Sequence, residues 1–251
     1  MKDWSTTREF LLEIPKPIAT KSYSPIAHSV FINELQEELY KKGYEVAEER
    51  YLHANKGQIL TGNFRITDNT SNELMPCINF TNSYNKMRKA SIRATAMVLV
   101  CKNGMMGSTS VGSYSRKHSG TALEDIRIKM GEVVNSLEAE FERLILNVEE
   151  MKQIELNKKI IAQLVGDMYI NENLIKTEQL SILNNEIHSS INFKGNSVWD
   201  FYNHVTESLH NNHPMEYDKQ HIKLHSYISS KFNLTGNNRL YGNEIEIAEL
   251  V

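Results

Sequence analysis

The 251-residue sequence is poor in cysteine and proline, with two of the first and five of the second. Two cysteines cannot form a disulfide framework, which excludes the small secreted scaffolds stapled by several bridges. Cys77 and Cys101 fall inside predicted strands and are expected to be reduced and buried. No apolar run approaches the roughly 18 residues of a membrane-spanning helix. The opening Met1-Lys2-Asp3-Trp4-Ser5 lacks the apolar stretch of a signal peptide, so a cytoplasmic location is expected, with no membrane partner. Catalytic signatures are missing too. There is no Gly-x-x-x-x-Gly-Lys-Ser/Thr loop, no Gly-x-Ser-x-Gly elbow and no His-Glu-x-x-His pair. The expectation is a protein without catalytic residues, cofactor or metal.

The most telling absence is regional. From Leu74 to Leu123 there is no Asp or Glu, although the chain holds 31 acidic residues. The same block carries Lys86, Arg88, Lys89, Arg93, Lys102, Arg116 and Lys117. A block charge of +7 within a chain of −3 leaves −10 for the remainder. Strands are depleted in acids anyway, which accounts for the missing carboxylates. It does not account for seven bases. Such separation lets a protein present one cationic surface to a polyanion while staying soluble.

A hydrophobic fraction of 40% with 24% charged residues is that of a globular protein. Residues 1–20 read as irregular, because Pro15 and Pro17 force extended backbone. A first helix is expected between Ser24-Pro25 and Gly43, on the stripe Ile26, Val30, Ile32, Leu35, Leu39. The period then falls to two. Strands are expected at 44–52, 58–67, 75–84, 90–101 and 105–114, separated by turn residues such as Asn55-Lys56-Gly57 and Lys102-Asn103-Gly104. Gly107 and Gly112 in the fifth suggest a bulge or a close backbone approach. Thr121 and Glu124 read as a capping box opening a helix of about eight turns. Further helices are expected near 156–171, 176–187, 196–211 and 216–232. The fold class is therefore α+β: an antiparallel five-stranded meander preceded by one helix and followed by a long helix and a helical C-terminal region. The expected division is 1–155 for the core with its basic sheet and 156–251 for the helical region with an acidic tail.

In the fourth strand Lys89, Ser91, Arg93 and Thr95 share one face, and Ala90, Ile92, Ala94 and Ala96 the other. A row of bases and hydroxyls suits phosphate, and Tyr84 and Tyr114 flank it as stacking candidates. The expected nucleic-acid contacts are Lys86, Arg88, Lys89, Arg93, Lys102, Arg116, Lys117, Tyr84 and Tyr114. Six of the nine histidines lie between 188 and 225, and His221 and His225 share a helix face. With His210 and His213 nearby, Glu207 and Asp218 could complete a metal site, as in a metal-dependent nuclease, but surface histidines in an Asn-rich region are the plainer reading. The tail Glu244 to Val251 alternates acidic and apolar residues, as a partner-docking peptide, a cover for the basic face or an edge strand would.

Three pieces then resemble a known family: Cys77-Ile78-Asn79-Phe80-Thr81-Asn82-Ser83-Tyr84, Ala90-Ser91-Ile92-Arg93 and Val98-Leu99-Val100-Cys101-Lys102-Asn103-Gly104-Met105. They are similar to the core of the phage/plasmid-like proteins, a domain-of-unknown-function family common in phages, plasmids and integrative elements. Val198-Trp199-Asp200-Phe201-Tyr202-Asn203-His204-Val205-Thr206-Glu207-Ser208-Leu209 is similar to that family's second signature, W-x-x-Y-N-A-V-T-E. The resemblance spans roughly residues 58–210. Asn85 stands where the family has Asp-Gly, which shortens that turn. The resemblance implies a mobile-element origin, a host-cell cytoplasm and a setting among recombination and single-strand-binding genes. At the level of topology alone, a meander followed by a long helix resembles single-strand annealing proteins. The expected partners are nucleic acid, with single-stranded DNA favoured, further copies of the chain, and a host or phage protein engaging the acidic tail. The competing expectation is an interaction protein that inhibits a host defence or replication factor.

Overall fold

The structure, a computed structural model, describes residues 4–99, 104–105, 107, 110–210 and 212–235. Among these the chain forms one antiparallel sheet of seven strands and eight helices. The strands are β1 (Ser5–Thr6), β2 (Val46–Ala54), β3 (Ile59–Ile66), β4 (Leu74–Ser83), β5 (Ala90–Val98), β6 (Gly104–Met105) and β7 (Ser113–Arg116). They lie in chain order from β1 to β6, and β7 also pairs with β5. The β2–β3 hairpin closes through Asn55, Lys56 and Gly57, all at positive φ, where Gly57 at +83° meets no Cβ penalty.

Period-two alternation gives the sheet two unlike faces. Phe64, Ile78, Phe80, Ile92 and Ala94 point to one side and pack on α2 (His28–Lys41) and α3 (Ala122–Asn135). From these helices come Phe31, Ile32, Leu35, Leu39, Ile126, Met130 and Val133. Gly62 lets the Phe80 ring lie flat on β3, since a Cβ there would stand 2.2 Å from the ring. The four rings of Phe31, Tyr51, Phe64 and Phe80 meet edge-on or tilted at centroid distances of 4.9–6.3 Å, the arrangement their quadrupoles favour.

A second core is built by α4 (Leu137–Gln153), α5 (Lys158–Ile170), α6 (Thr177–Ser189), α7 (Val198–Leu209) and α8 (Pro214–Lys231). α7 lies at its centre, with Val198, Phe201, Tyr202, Val205 and Leu209 all buried. Its start is fixed by a capping box: the Asp200 amide donates to Ser197 Oγ and the Ser197 amide to Asp200 Oδ2, both at 3.1 Å. The two cores share α4, since Leu137 belongs to the first and Phe141 and Leu144 to the second.

Most expected elements are present, with five differences. The sheet has seven strands rather than five. β1 and the short α1 (Arg8–Glu13) form where irregular chain was expected, because the helix starts on Thr7, ahead of the prolines. The expected fifth strand is two short ones separated by a stretch that holds Gly107 and Gly112. Both glycines are close approaches: a Cβ on Gly107 would meet the His225 ring at 1.8 Å, and one on Gly112 the Glu140 carboxylate at 2.5 Å. The eight-turn helix breaks at Ser136, whose hydroxyl donates to the Val133 carbonyl at 2.8 Å and competes with the helical ladder. Thr121 makes no capping box; its hydroxyl donates to Asp125 instead, at 3.2 Å. Lys102, Cys101 and the tail Glu244 to Val251 lie outside the described residues.

Candidate nucleic-acid interface

β4 ends at Ser83, and the turn that follows sets the position of the bases. Ser83 Oγ donates to the Arg88 carbonyl at 2.8 Å and accepts from the Arg88 amide at 3.2 Å, so one hydroxyl closes the turn. Asn85 Oδ1 accepts from the Met87 amide at 3.1 Å, an Asx turn that leaves Lys86 at φ +62°. Lys86 projects over the Tyr23 ring, 4.5 Å from its centroid. The register of Ala90 opposite Arg116 brings the end of β7 beside the start of β5. Lys86, Lys89 and Lys117 are thereby gathered, exposed, at one end of the sheet. Arg116 joins them but is held by Asp125, with Nε 2.7 Å from Oδ2.

The other expected contacts are placed differently. Tyr84 is buried rather than presented for stacking. Its hydroxyl accepts from the His28 amide at 2.7 Å, and its ring stacks on His28 at 3.9 Å and 14°. Tyr114 is half-buried against the apolar face. The row Lys89, Ser91, Arg93, Thr95 does not face solvent along its length: Thr95 is fully buried and Arg93 is half-buried under helices.

Two helices reach that row: Asp218 of α8 meets Thr81 and Arg88, and Glu140 of α4 acts on Arg93. Arg93 stands opposite Asn79, Asn79 opposite Asn63, and Asn63 opposite Arg50, so one polar row crosses four strands. Asn63 Nδ2 donates to Asn79 Oδ1, and Asn79 Nδ2 to Thr95 Oγ1 at 3.2 Å. Onto this layer α8 lowers Asp218. Thr81 Oγ1 donates to Asp218 Oδ2 at 2.9 Å, and Arg88 stands 3.7 Å from the same oxygen. Burial raises the Asp218 pKa, while Arg88, the Thr81 hydroxyl and Arg93 pull it back. Burial likewise lowers the pKa of Arg93, against the charges of Asp218 and Glu140. Arg50, Asn63, Asn79, Tyr217 and Asp218 line a cavity of about 30 Å³, room for a water or two and not for a nucleotide. Sequence reasoning weighed Asp218 only as a metal ligand. The pattern that could have found its partner face is Asn79-Thr81-Ser83, a polar row on an otherwise apolar strand.

The C-terminal histidines are divided: His204, His221 and His225 are buried, His210 and His213 half-buried and His188 exposed. His221 and His225 are buried and face the sheet side of α8, and His225 lies against Gly107. Burial lowers the His225 pKa to about 3, and the nearby Arg143 adds to it. His28 is similarly lowered, to about 4, chiefly by burial. Its Nε2–H donates to the Gly57 carbonyl at 3.0 Å, and its Nδ1 accepts from Asn82 at 3.0 Å, which suits the neutral ring. Among the described residues no three His, Cys, Asp or Glu side chains gather as a metal site would require. No helix among them is long and apolar enough to cross a membrane.

Fold and surface together define a mixed α/β protein: an antiparallel meander, helices against both faces, and a cationic end. The chain belongs to the DUF932 family, a domain of unknown function whose family model matches residues 18–228. No curated protein and no solved structure matches it significantly. The segments 77–84, 90–93 and 198–209 of the resemblance fall on β4, β5 and α7, two central strands and the central helix, and are largely buried there, whereas 100–103 lie outside the described residues.

Proposed function

We propose that this protein binds nucleic acid, with single-stranded DNA favoured, through the cationic end of its sheet, as a non-enzymatic component of recombination or replication in a mobile element. The observation that carries the reading is the clustering of exposed Lys86, Lys89 and Lys117 by the β4–β5 turn and the β5–β7 register. Three mobile ammonium groups suit phosphates without reading sequence, because phosphate contacts position and base contacts specify. The surrounding chain, acidic overall, focuses a strand onto that end. The mobile-element setting rests on the resemblance in β4, β5 and α7 alone.

The test is anisotropy titration of labelled single-stranded DNA at two salt concentrations, with the K86E/K89E/K117E variant alongside. Three phosphate contacts give a slope of log K against log salt near about −2, so that raising salt from about 50 to 200 mM weakens binding by roughly 20-fold. The triple variant loses that binding. Salt-insensitive binding, or a triple variant equal to the native chain, would refute the assignment. A salt-tolerant complex with one host protein and no DNA binding would favour the inhibitor reading.

A further inference from the structure

The cationic end is not the whole of the basic block, since Arg88 and Arg93 lie under α8. We infer that the polar sheet face built by Thr81, Arg88 and Arg93 is a second anion site for the nucleic-acid backbone, masked by the N-terminal half of α8 with the Asp218 carboxylate standing in for a phosphate. The inference rests on the nucleic-acid reading above and extends it.

The first support is chemical. Asp218 Oδ2 accepts from a hydroxyl and faces a guanidinium, the two donor types that hold phosphate oxygens. A second guanidinium, Arg93, lies within its field. Arg93 is shared with the Glu140 carboxylate of α4, so two carboxylates face this row of bases, and a phosphodiester is the common backbone group of matching charge.

The second support is the uneven seating of α8. Its C-terminal half is anchored by Leu224 and Ile228, both fully buried in the second core. In the half from Pro214 to Lys223, the buried side chains among those described are Asp218, Gln220 and His221, all polar. Asp218 Oδ1, Thr61 Oγ1 and Asn63 Oδ1, buried around the small cavity, find no hydrogen-bond partner within the protein. Such a layer gains little from closure, since water in the cavity serves those atoms as well as the helix does. The third support is position. Arg88 lies in the same turn as Lys86 and Lys89, so the cationic end adjoins the masked row along the chain.

The experiment uses the full chain and labelled oligo(dT). Removing the stand-in with Asp218→Asn is expected to tighten oligo(dT) binding about tenfold, as expected when the competent state is a minor population. Arg93→Gln in the D218N background is expected to abolish that gain. Deuterium exchange of amides 216–223 is expected to quicken when oligo(dT) is added to the native chain. If D218N binds no tighter, or the amides are unchanged or slowed by oligo(dT), the mask is overturned whatever the cationic end does. If the K86E/K89E/K117E chain alone loses binding while D218N changes nothing, the cationic end stands and the mask falls. A native chain that fails to bind beside a D218N chain that binds would place the whole activity on the masked face. Circular dichroism of D218N excludes misfolding, and the exchange measurement on the native chain decides the matter independently of that variant.

Discussion

The two faces of this sheet are made by alternate residues of the same strands, yet they are held by different physics. On one face Phe64, Phe80 and Ile92 meet α2 and α3 through non-directional apolar burial. On the other, Thr81 and Arg88 meet Asp218 of α8 through a hydrogen bond and charge, and Arg93 through charge. Apolar packing tolerates small misfits and contributes everywhere at once. A polar layer contributes only where each atom finds its partner, and here several do not. On the masked-site proposal the apolar face is the permanent one and the polar face the one expected to open.

The contrast can be broken most severely on the apolar side. Phe80→Ala removes a ring that touches Phe31, Tyr51 and Phe64, and urea denaturation should show a loss of about 3–5 kcal/mol. Gly62→Ala pushes that same ring off its seat and should cost about 1–3 kcal/mol by the same assay. On the polar side Thr81→Val deletes the hydroxyl that holds Asp218 and should cost about 1 kcal/mol or less in global unfolding. It should accelerate exchange in the N-terminal half of α8 far more than it moves the urea midpoint. The K86E/K89E/K117E variant should change stability least, within about 0.5 kcal/mol, because its side chains are exposed.

Acid sharpens the same comparison, because a buried neutral histidine lies under each face's helix. The pKa of His28, on α2, falls to about 4 and that of His225, on α8, to about 3, against an ordinary 6.5. Below pH 6.5 the unfolded chain takes up protons that the folded chain refuses. Their contribution is thus present above pH 6.5 and is lost as pH falls, down to about 4 for His28 and about 3 for His225. Each adds a slope of up to about 1.4 kcal/mol per pH unit in its window. His28→Gln, which keeps a donor and an acceptor, should flatten the stability profile between pH 6.5 and about 4 when melts are compared.

Much of the fold was legible in the sequence because period and punctuation agreed. The strands β2 to β5 and the helices α5 to α8 lie within a few residues of their expected spans, since alternation, helical spacing and turn residues all point one way there. The candidate site was legible only in part. The acid-free block identified the bases, and the turn at Asn85 and the register of Ala90 with Arg116 decided which of them are exposed. Parity told that Arg93 and Thr95 share a polar face, but parity cannot tell what covers a face. Tyr84 turned inward because a distant segment supplies both its partners, His28 and Tyr23, and no local pattern records a contact over some sixty residues. Asp218 was hidden for the same reason.

The most direct test of the account is native-state hydrogen exchange, comparing amides 216–223 of α8 with amides of α3 on the opposite face. The α8 amides are expected to open locally, with a free energy well below that of global unfolding, while α3 exchanges only when the whole protein unfolds. Equal protection of the two helices, both at the global limit, would contradict it: α8 would then be a permanent part of the fold, and the polar face would never be free to bind.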